Sequence, residues 1–288
     1  MKNAIEIKGL VKNYDNDFKL GEINLDIPSG CIIGLIGENG AGKTTLIKSI
    51  LNIINIDNGS IKVFGKDNQR KEKKIKEEIG VVLDNMFFPE ILTAKDIGIV
   101  MKDIYKTWDQ ELFDKYLVDF NIPNSKKIKE LSKGMRKKLE LAVAFSHHPK
   151  LLILDEPTSG LDPVVRAEIL DIFLKFISDD EHTILFSTHI TSDLENIADH
   201  IIFIDGGNIL LNKTRDEILD NYGILKCDID YFEKINKEDI ICYKKNKYDY
   251  QILVNNKNKI HKKYKDFILD KITLDDLMVL MIKGEKVC

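Results

Sequence analysis

The sequence predicts an α/β fold built on a mostly parallel, helix-covered sheet, with a small α+β unit at its C-terminal end. Three observations predict it. Short apolar runs at Cys31 to Ile36, Leu151 to Leu154, Thr183 to Ser187 and Ile201 to Ile204 alternate with apolar residues recurring at helical spacing. A glycine-rich loop joins the first run to a helical pattern. From about Tyr222 the composition shifts to Lys, Asn, Asp and Tyr, which sets a boundary near 216–222. A chain of 288 residues that is 43% hydrophobic can bury a core of this size.

In chain order, Ile5 and Ile7, then Ile23, Leu25 and Ile27, alternate with polar neighbours as half-buried antiparallel strands do. Pro28-Ser29-Gly30 is a turn, and the apolar run after it suits a strand covered on both faces. Leu46, Ile47, Ile50, Leu51 and Ile54 then mark a helix. Strands are expected again at Ser60 to Gly65 and Ile79 to Leu83. The pattern from Ile91 to about Leu131 is helical, broken at Pro123. Ile169, Phe173, Phe176 and Ile177 form a helix between two buried strands, and Ile209 to Leu211 is a closing strand after the turn Asp205 to Asn208. Beyond the boundary stand a hairpin (Ile240 to Tyr243, turn near Asn246, Tyr250 to Val254) and a final helix from Thr273, with Asp276 completing a capping box.

Composition narrows the function. With 43 Lys and Arg against 47 Asp and Glu, the net charge of −4 exerts no global pull on nucleic acid or an anionic bilayer. No apolar stretch approaches the ~20 residues of a membrane span, and the N-terminus lacks a signal peptide's apolar segment. Four cysteines (Cys31, Cys227, Cys242, Cys288) without a CxxC pair point to a reduced, cytosolic protein.

Gly37-Glu38-Asn39-Gly40-Ala41-Gly42-Lys43-Thr44 fits GxxxxGK[ST] between an apolar strand and an amphipathic helix, the context this phosphate loop requires. Glycines let the backbone wrap phosphate oxygens, and N–H groups at the helix start add a favourable dipole. The loop and the following Thr45 are therefore a nucleotide site, with Lys43 on the β- and γ-phosphates and the Thr44 hydroxyl on Mg²⁺. Leu151 to Leu154 runs into Asp155-Glu156. In such a fold the first carboxylate can hold Mg²⁺ and the second can polarise the attacking water; the bland alternative is an acidic turn.

Leu131-Ser132-Lys133-Gly134-Met135 precedes Asp155, and Ser159-Gly160-Leu161-Asp162 and Ser187-Thr188-His189 follow it. With the two motifs above, in that order, the sequence resembles the nucleotide-binding subunit of ABC transporters over roughly residues 1–215. The resemblance implies a P-loop ABC-ATPase core over 1–218, with an antiparallel β subdomain and an α-helical subdomain near 86–135, and an accessory domain over 219–288. It implies ATP and Mg²⁺ as cofactors, and Glu156, His189 and Lys43 as the catalytic set. By it, Tyr14 stacks on adenine, Ser132 and Gly134 meet the γ-phosphate held by the opposite subunit, and Asp162 communicates across the dimer. The partners implied are an integral membrane permease and a second ABC ATPase, identical or not, and no nucleic acid. The place implied is the inner face of the cell membrane, reached from the cytoplasm.

Structural alternatives stand beside these roles. Ser132 can cap the helix carrying Met135, Leu139, Ala142 and Val143, and Asp162 before Pro163 is an apt N-cap. His189 has the alternative of a satisfied core histidine, and His147, His148, His182, His200 and His261 have only bland readings. Two departures from the family pattern matter. Lys133 and Met135 replace a glycine and a glutamine of the usual LSGGQ, and the glutamine expected after Ile79 to Leu83 is absent, the stretch reading Val82-Leu83-Asp84-Asn85-Met86. Asp84, on the metal side with Thr44 and Asp155, or Asn85, through its amide, takes over that role, or no residue does. Such a mixture looks like the exporter ATPases of bacterial ABC-2-type systems. Phe87 and Phe88, next in line, either fill the core or meet a membrane subunit. The expected function is an ATP-hydrolysing subunit powering an exporter; the alternative is a soluble regulatory module with weak or no hydrolysis. A DNA-working relative would need a coiled-coil insertion between Lys43 and Ser132, and no heptad run is present.

Overall fold

The computed structural model describes residues 2–14, 18–84, 88–179 and 181–286. Strand β1 (Asn3–Asn13) pairs antiparallel with β2 (Lys19–Pro28), setting Ile5 opposite Ile27 and Ile7 opposite Leu25. Along β2, Ile23, Leu25 and Ile27 are buried and Glu22, Asn24 and Asp26 exposed, the alternation of a half-covered strand. After β3 (Ile32–Ile36) and α1 (Lys43–Ile50), β4 (Asn58–Val63) and β5 (Lys66–Asp67) complete a four-stranded sheet in the order β2-β1-β4-β5.

A short α2 (Glu72–Lys76) leads to β6 (Ile79–Val82) and then to α3 (Ala94–Ile104), α4 (Gln110–Asp119) and α5 (Lys133–Phe145). The helical stretch is more divided than its apolar pattern implies. Asp109 caps α4 by accepting from Leu112 N–H at 2.9 Å, and past Pro123 only a 3₁₀ turn (Ile128–Glu130) forms before α5. The chain continues through β7 (Leu151–Asp155), α6 (Pro163–Phe176), β8 (Thr183–Thr188), α7 (Thr191–Ile197), β9 (His200–Asp205) and β10 (Asn208–Thr214). The resulting sheet has the order β10-β9-β3-β8-β7-β6 and is parallel except for edge strand β10.

Side-chain alternation divides this sheet between two cores. Ile33, Leu35, Ile153 and Leu185 pack with Leu46, Ile47 and Ile50 of α1 and with Ile5, Ile7 and Ile61 of the antiparallel sheet. Ile32, Ile36, Leu154 and Phe186 pack with Ile97, Phe113, Leu139 and Phe173 from the helices of the opposite face. Each fully buried phenylalanine here contributes roughly 1.5–3 kcal/mol of apolar transfer. Phe88 is partly buried against this second core, the core-filling alternative for that residue, whereas Phe87 lies outside the described residues.

The C-terminal part begins after α8 (Arg215–Asn221). Strands β11 (Gly223–Asp228), β12 (Cys242–Lys245) and β13 (Asp249–Val254), helix α9 (Lys257–Lys263), strand β14 (Ile268–Lys271) and helix α10 (Leu274–Lys283) follow. Their antiparallel sheet has the order β12-β13-β11-β14. The expected hairpin is β12–β13, and α10 starts with the Thr273–Asp276 capping box. Strands β11 and β14 have no clear signal in the sequence. Ile224 and Leu225 face different cores, so β11 has no polar-apolar alternation, and β14 is short and largely half-exposed. Leu225, Cys227, Ile252 and Val254 close a separate small core with Ile235, Ile260 and Tyr264. On the other face, Ile224 and Leu253 join Leu277 and Leu280 of α10 in the helix-side core of the large sheet. Helix α10 is anchored to α7, where the Leu274 N–H donates to Glu195 Oε1 at 2.6 Å.

His147 sits behind β6, its Nε2–H donating to the Ile79 carbonyl at 3.1 Å and its ring stacked on Tyr105 at 4.0 Å. Burial pushes its pKa below the ordinary histidine value. The folded state thus binds this proton less readily than the unfolded chain, and its stabilisation is lost as pH falls below about 6.5. Thermal melts from pH 7.5 to 5.5 are expected to show a smaller fall in Tm for His147→Phe than for the parent.

Candidate functional site

Four loops that follow neighbouring parallel strands meet at one end of the large sheet. The phosphate loop follows β3, His189 follows β8, Glu156 follows β7 and Asp84 follows β6, and these strands lie side by side in that order. Open α/β sheets build ligand sites at the carboxyl ends of their strands because each loop delivers one side chain to a shared crevice. The crevice here is a cavity of about 530 Å³ lined by Tyr14, Phe18, Glu38, Asn39, Gly40, Gly42, Lys43, Thr44, Thr45, Asp84 and Glu156.

Gly42, the N-cap of α1, has φ 112°, a conformation that costs a glycine little and an L side chain much. This bend turns the loop back over the helix start, whose first turn carries no acidic residue to compete with an anion. Lys43 is 5% exposed, and its Nζ donates to the carbonyls of Gly37 at 2.7 Å and Glu38 at 3.3 Å. It also lies 3.4 Å from Glu156 Oε1. That contact is an ion pair by distance only, since Oε1 is buried and accepts no hydrogen bond. The other oxygen of Glu156 is 2.8 Å from His189 Nδ1. Glu156 adopts φ 51°, in the left-handed region, while its N–H donates to the Ser187 carbonyl at 3.1 Å. Strain of this kind persists only where the surroundings over-determine it.

Asp155 is 2% exposed and lies beneath the cavity rather than on its wall. It accepts from the Thr44 hydroxyl at 2.8 Å and from the Ser187 hydroxyl. The site residues expected from sequence therefore fall into two groups. Tyr14, Asn39, Gly40, Gly42, Lys43, Thr44, Thr45, Asp84 and Glu156 share the cavity; His189 stands at Glu156, and Gly37, Ala41 and Asp155 lie buried below. Asn85 lies outside the described residues.

Ser132, Gly134 and Asp162 do not reach that cavity. Ser132 caps α5, its Oγ accepting from Met135 N–H at 3.2 Å, and Asp162 caps α6 through Val164 and Val165, both at 3.1 Å. Gly134 is buried where α5 crosses α6, and a Cβ there would fall 2.8 Å from Val165 Cγ1. The Lys133 ammonium is turned toward Gly160, where an added Cβ would fall 2.4 Å from it. Phe18 is the cavity residue that sequence reasoning missed. Its ring lies 6.1 Å from that of Tyr14, and the Tyr14 N–H donates to the Phe18 carbonyl at 3.0 Å. A second aromatic four residues after Tyr14, upstream of the glycine loop, is the signal that could have found it.

Comparison with known proteins bears on what this arrangement is. A protein-family model described as "ABC transporter" matches residues 20–159. The ABC transporter ATP-binding protein YtrB of Bacillus subtilis (strain 168) is 32% identical over 219 residues, covering 76% of this chain and 74% of that protein. The chain belongs to the ABC transporter family of ATP-binding proteins. This ABC protein is also 33% identical over 212 residues to the bacitracin transport ATP-binding protein BcrA of Bacillus licheniformis, covering 73% and 69% of the two chains. A solved structure titled as the ATP binding subunit of an ABC transporter superposes with a TM-score of 0.67 at 25% identity, covering 75% of this ABC protein and 91% of that chain. Among the described residues, no helix of the ABC protein is long and apolar enough to cross a membrane.

Proposed function

We propose that this ABC protein is the ATP-hydrolysing subunit of an exporter whose transmembrane part is a separate polypeptide. The observation that carries the reading is Glu156, placed on the cavity wall with Oε2 on His189 and with Oε1 buried, unbonded and facing Lys43. A free carboxylate oxygen beside the cation that would meet a γ-phosphate is where an attacking water can be held and deprotonated. Lys43, His189 and the backbone N–H groups of the loop would carry the charge that develops on the phosphoryl oxygens. Tyr14 and Phe18 offer flat apolar faces for a base on the same cavity.

The oxygen set fits Mg²⁺. The Thr44 hydroxyl and the Asp155 carboxylate already touch, while no cluster of three acidic, His or Cys residues that could cage a metal occurs among the described residues. A cation that retains water and takes most of its ligands from phosphates suits such a pair, with Asp84 on the same cavity wall. When bound, the ion supplies Lewis-acid stabilisation of the phosphates. Asp155 and Thr44 would hold it, and the Ser187 hydroxyl keeps Asp155 in place.

The cavity would cover a nucleotide from one side only. Ser132, which caps α5, and Asp162, which caps α6, are exposed and lie outside this cavity, with Gly134 buried between the two helices. A head-to-tail dimer, with an identical or a related subunit, would bring those helix ends to the γ-phosphate and close the site. Residues 1–218 would be the motor, with its helical part near 86–135, and 219–288 an accessory unit. This division is supported by the separate small core of the third sheet and by matches that take in about three quarters of the chain. The assembly would sit at the cytoplasmic face of the membrane beside a permease. BcrA's designation as a bacitracin transport protein supports a peptide-like cargo. Purified protein is expected to release phosphate from ATP in the presence of Mg²⁺ and to stop when the metal is chelated. Tight ATP binding with no phosphate release would instead favour a regulatory module, the reading that Asp84 in place of a glutamine would then explain.

A further inference from the structure

We propose that Lys137 is a positioning residue: its buried ammonium holds the Leu83 carbonyl and thereby sets where Asp84 stands at the edge of the nucleotide cavity. The proposal rests on the hydrolytic reading above and adds a residue to it.

Lys137 lies in the second turn of α5, just beyond Ser132 and Gly134. Its side chain is 8% exposed, and a cation so deep is retained only with partners. Glu140, equally buried and three residues along the same helical face, places Oε2 2.8 Å from Nζ. Burial pushes the Glu140 carboxyl above the usual carboxylate range and the Asp84 charge adds to this, while Lys137 opposes both. Glu140 alone would balance the charge of Lys137. The 3.0 Å bond from Nζ to the Leu83 carbonyl is therefore additional, and it joins α5 to the chain just past β6. The residue after Leu83 is Asp84, which lines the cavity.

The neighbouring residue of α5 meets the far end of the same stretch. Arg136 donates to the carbonyls of Leu131 at 3.1 Å and Lys129 at 2.9 Å, and its guanidinium lies 3.7 Å from Glu90 Oε1. The Lys129 N–H donates to the Glu90 carbonyl at 3.2 Å. Of these two consecutive residues of α5, Lys137 bonds Leu83 directly, while Arg136 meets Glu90 only as an exposed ion pair. Helix α5 is a rigid element, so a shift of its N-terminal end is delivered to Asp84 through Lys137, and a displacement near 1 Å at a reacting centre can change a rate by about 100-fold.

The test must remove the carbonyl bond without leaving a lone buried charge. Replacing a buried ion pair by apolar residues of similar volume is commonly neutral or stabilising, so K137M/E140L is the informative variant. It is expected to keep the parental Tm and a KM for ATP within about twofold, while kcat falls by roughly 10- to 100-fold. E140Q keeps the bond from Lys137 to Leu83 but leaves the ammonium without its counter-charge, so its Tm is expected to fall while kcat, measured well below that Tm, stays within about twofold; K137R, whose guanidinium can reach the same carbonyl, should lie between in kcat. Should K137M/E140L fail to fold, K137Q/E140L removes the same bond, because a glutamine is too short to span it.

A folded K137M/E140L with parental kcat overturns the proposal. So does E140Q losing as much kcat as the double variant, because the ion pair and not the carbonyl bond would then be responsible. A parent chain that turns over no ATP refutes the hydrolytic reading and is distinguished by amide hydrogen exchange. In that case faster exchange of the peptide spanning 79–84 in K137M/E140L would still support the positioning role, and unchanged exchange would remove it.

Discussion

Glu156→Gln is expected to bind ATP at least as tightly as the parent and to hydrolyse it roughly 100- to 10,000-fold more slowly, the range a positioned general base supplies. Glutamine matches glutamate in shape, so the left-handed backbone at this residue and the contact with His189 have no steric reason to change. What disappears is the basicity of the buried, unbonded Oε1. A negative charge near the γ-phosphate disappears as well, and removing like-charge repulsion in a partly desolvated cavity favours the bound nucleotide. On size-exclusion chromatography with MgATP, the variant should accumulate as a dimer while the parent does not. Parental turnover in the variant would move the base elsewhere, and a monomer with tightly bound ATP would remove the dimer from the proposal.

Lys43→Met is expected to abolish binding rather than chemistry. The ammonium is held by the Gly37 and Glu38 carbonyls, and these bonds aim it into the cavity before any nucleotide arrives. Methionine retains the length and apolar stem but no donor. Hydrogen bonds to charged groups contribute about 1.5–3 kcal/mol each, so loss of the phosphate contacts should weaken ATP binding by roughly 100-fold or more. The parental resting structure also sets Lys43 3.4 Å from Glu156 Oε1. Without that cation a mostly buried carboxylate loses its counter-charge, and Tm is expected to fall modestly. Titration calorimetry with ATP and a thermal melt separate the two effects. Unchanged affinity would show that the cavity binds nucleotide without its lysine, contrary to the proposed role.

Much of the site was legible because its residues are local in sequence. The phosphate loop needs glycines, a lysine and a hydroxyl within eight positions, and the strand before Asp155 announces itself by an unbroken apolar run. Ser132 and Asp162 are readable both as caps and as partner-facing groups; within one chain the capping role is fulfilled, and both lie outside the cavity. Less was legible where one side chain answers to two environments. Strand β11 has no alternating pattern, since its neighbouring residues feed different cores. Phe18 reads as an ordinary strand residue until the fold sets its ring beside that of Tyr14.

By itself the sequence determined the α/β class, the nucleotide loop and the carboxylate pair, because each depends on periodicity or on spacing within a single turn or strand, while the family rested on the resemblance of five motifs in their order. Only the tertiary structure decided which loops share a cavity, since strand order, with β8 and β7 lying between β3 and β6, is not written in local pattern. It also decided that Lys43, Glu156 and His189 form one contact group, that Lys137 reaches the Leu83 carbonyl across 54 positions of chain, and that α10 rests on α7. Such contacts depend on how whole elements dock, and docking is set by the summed burial of many side chains rather than by any motif.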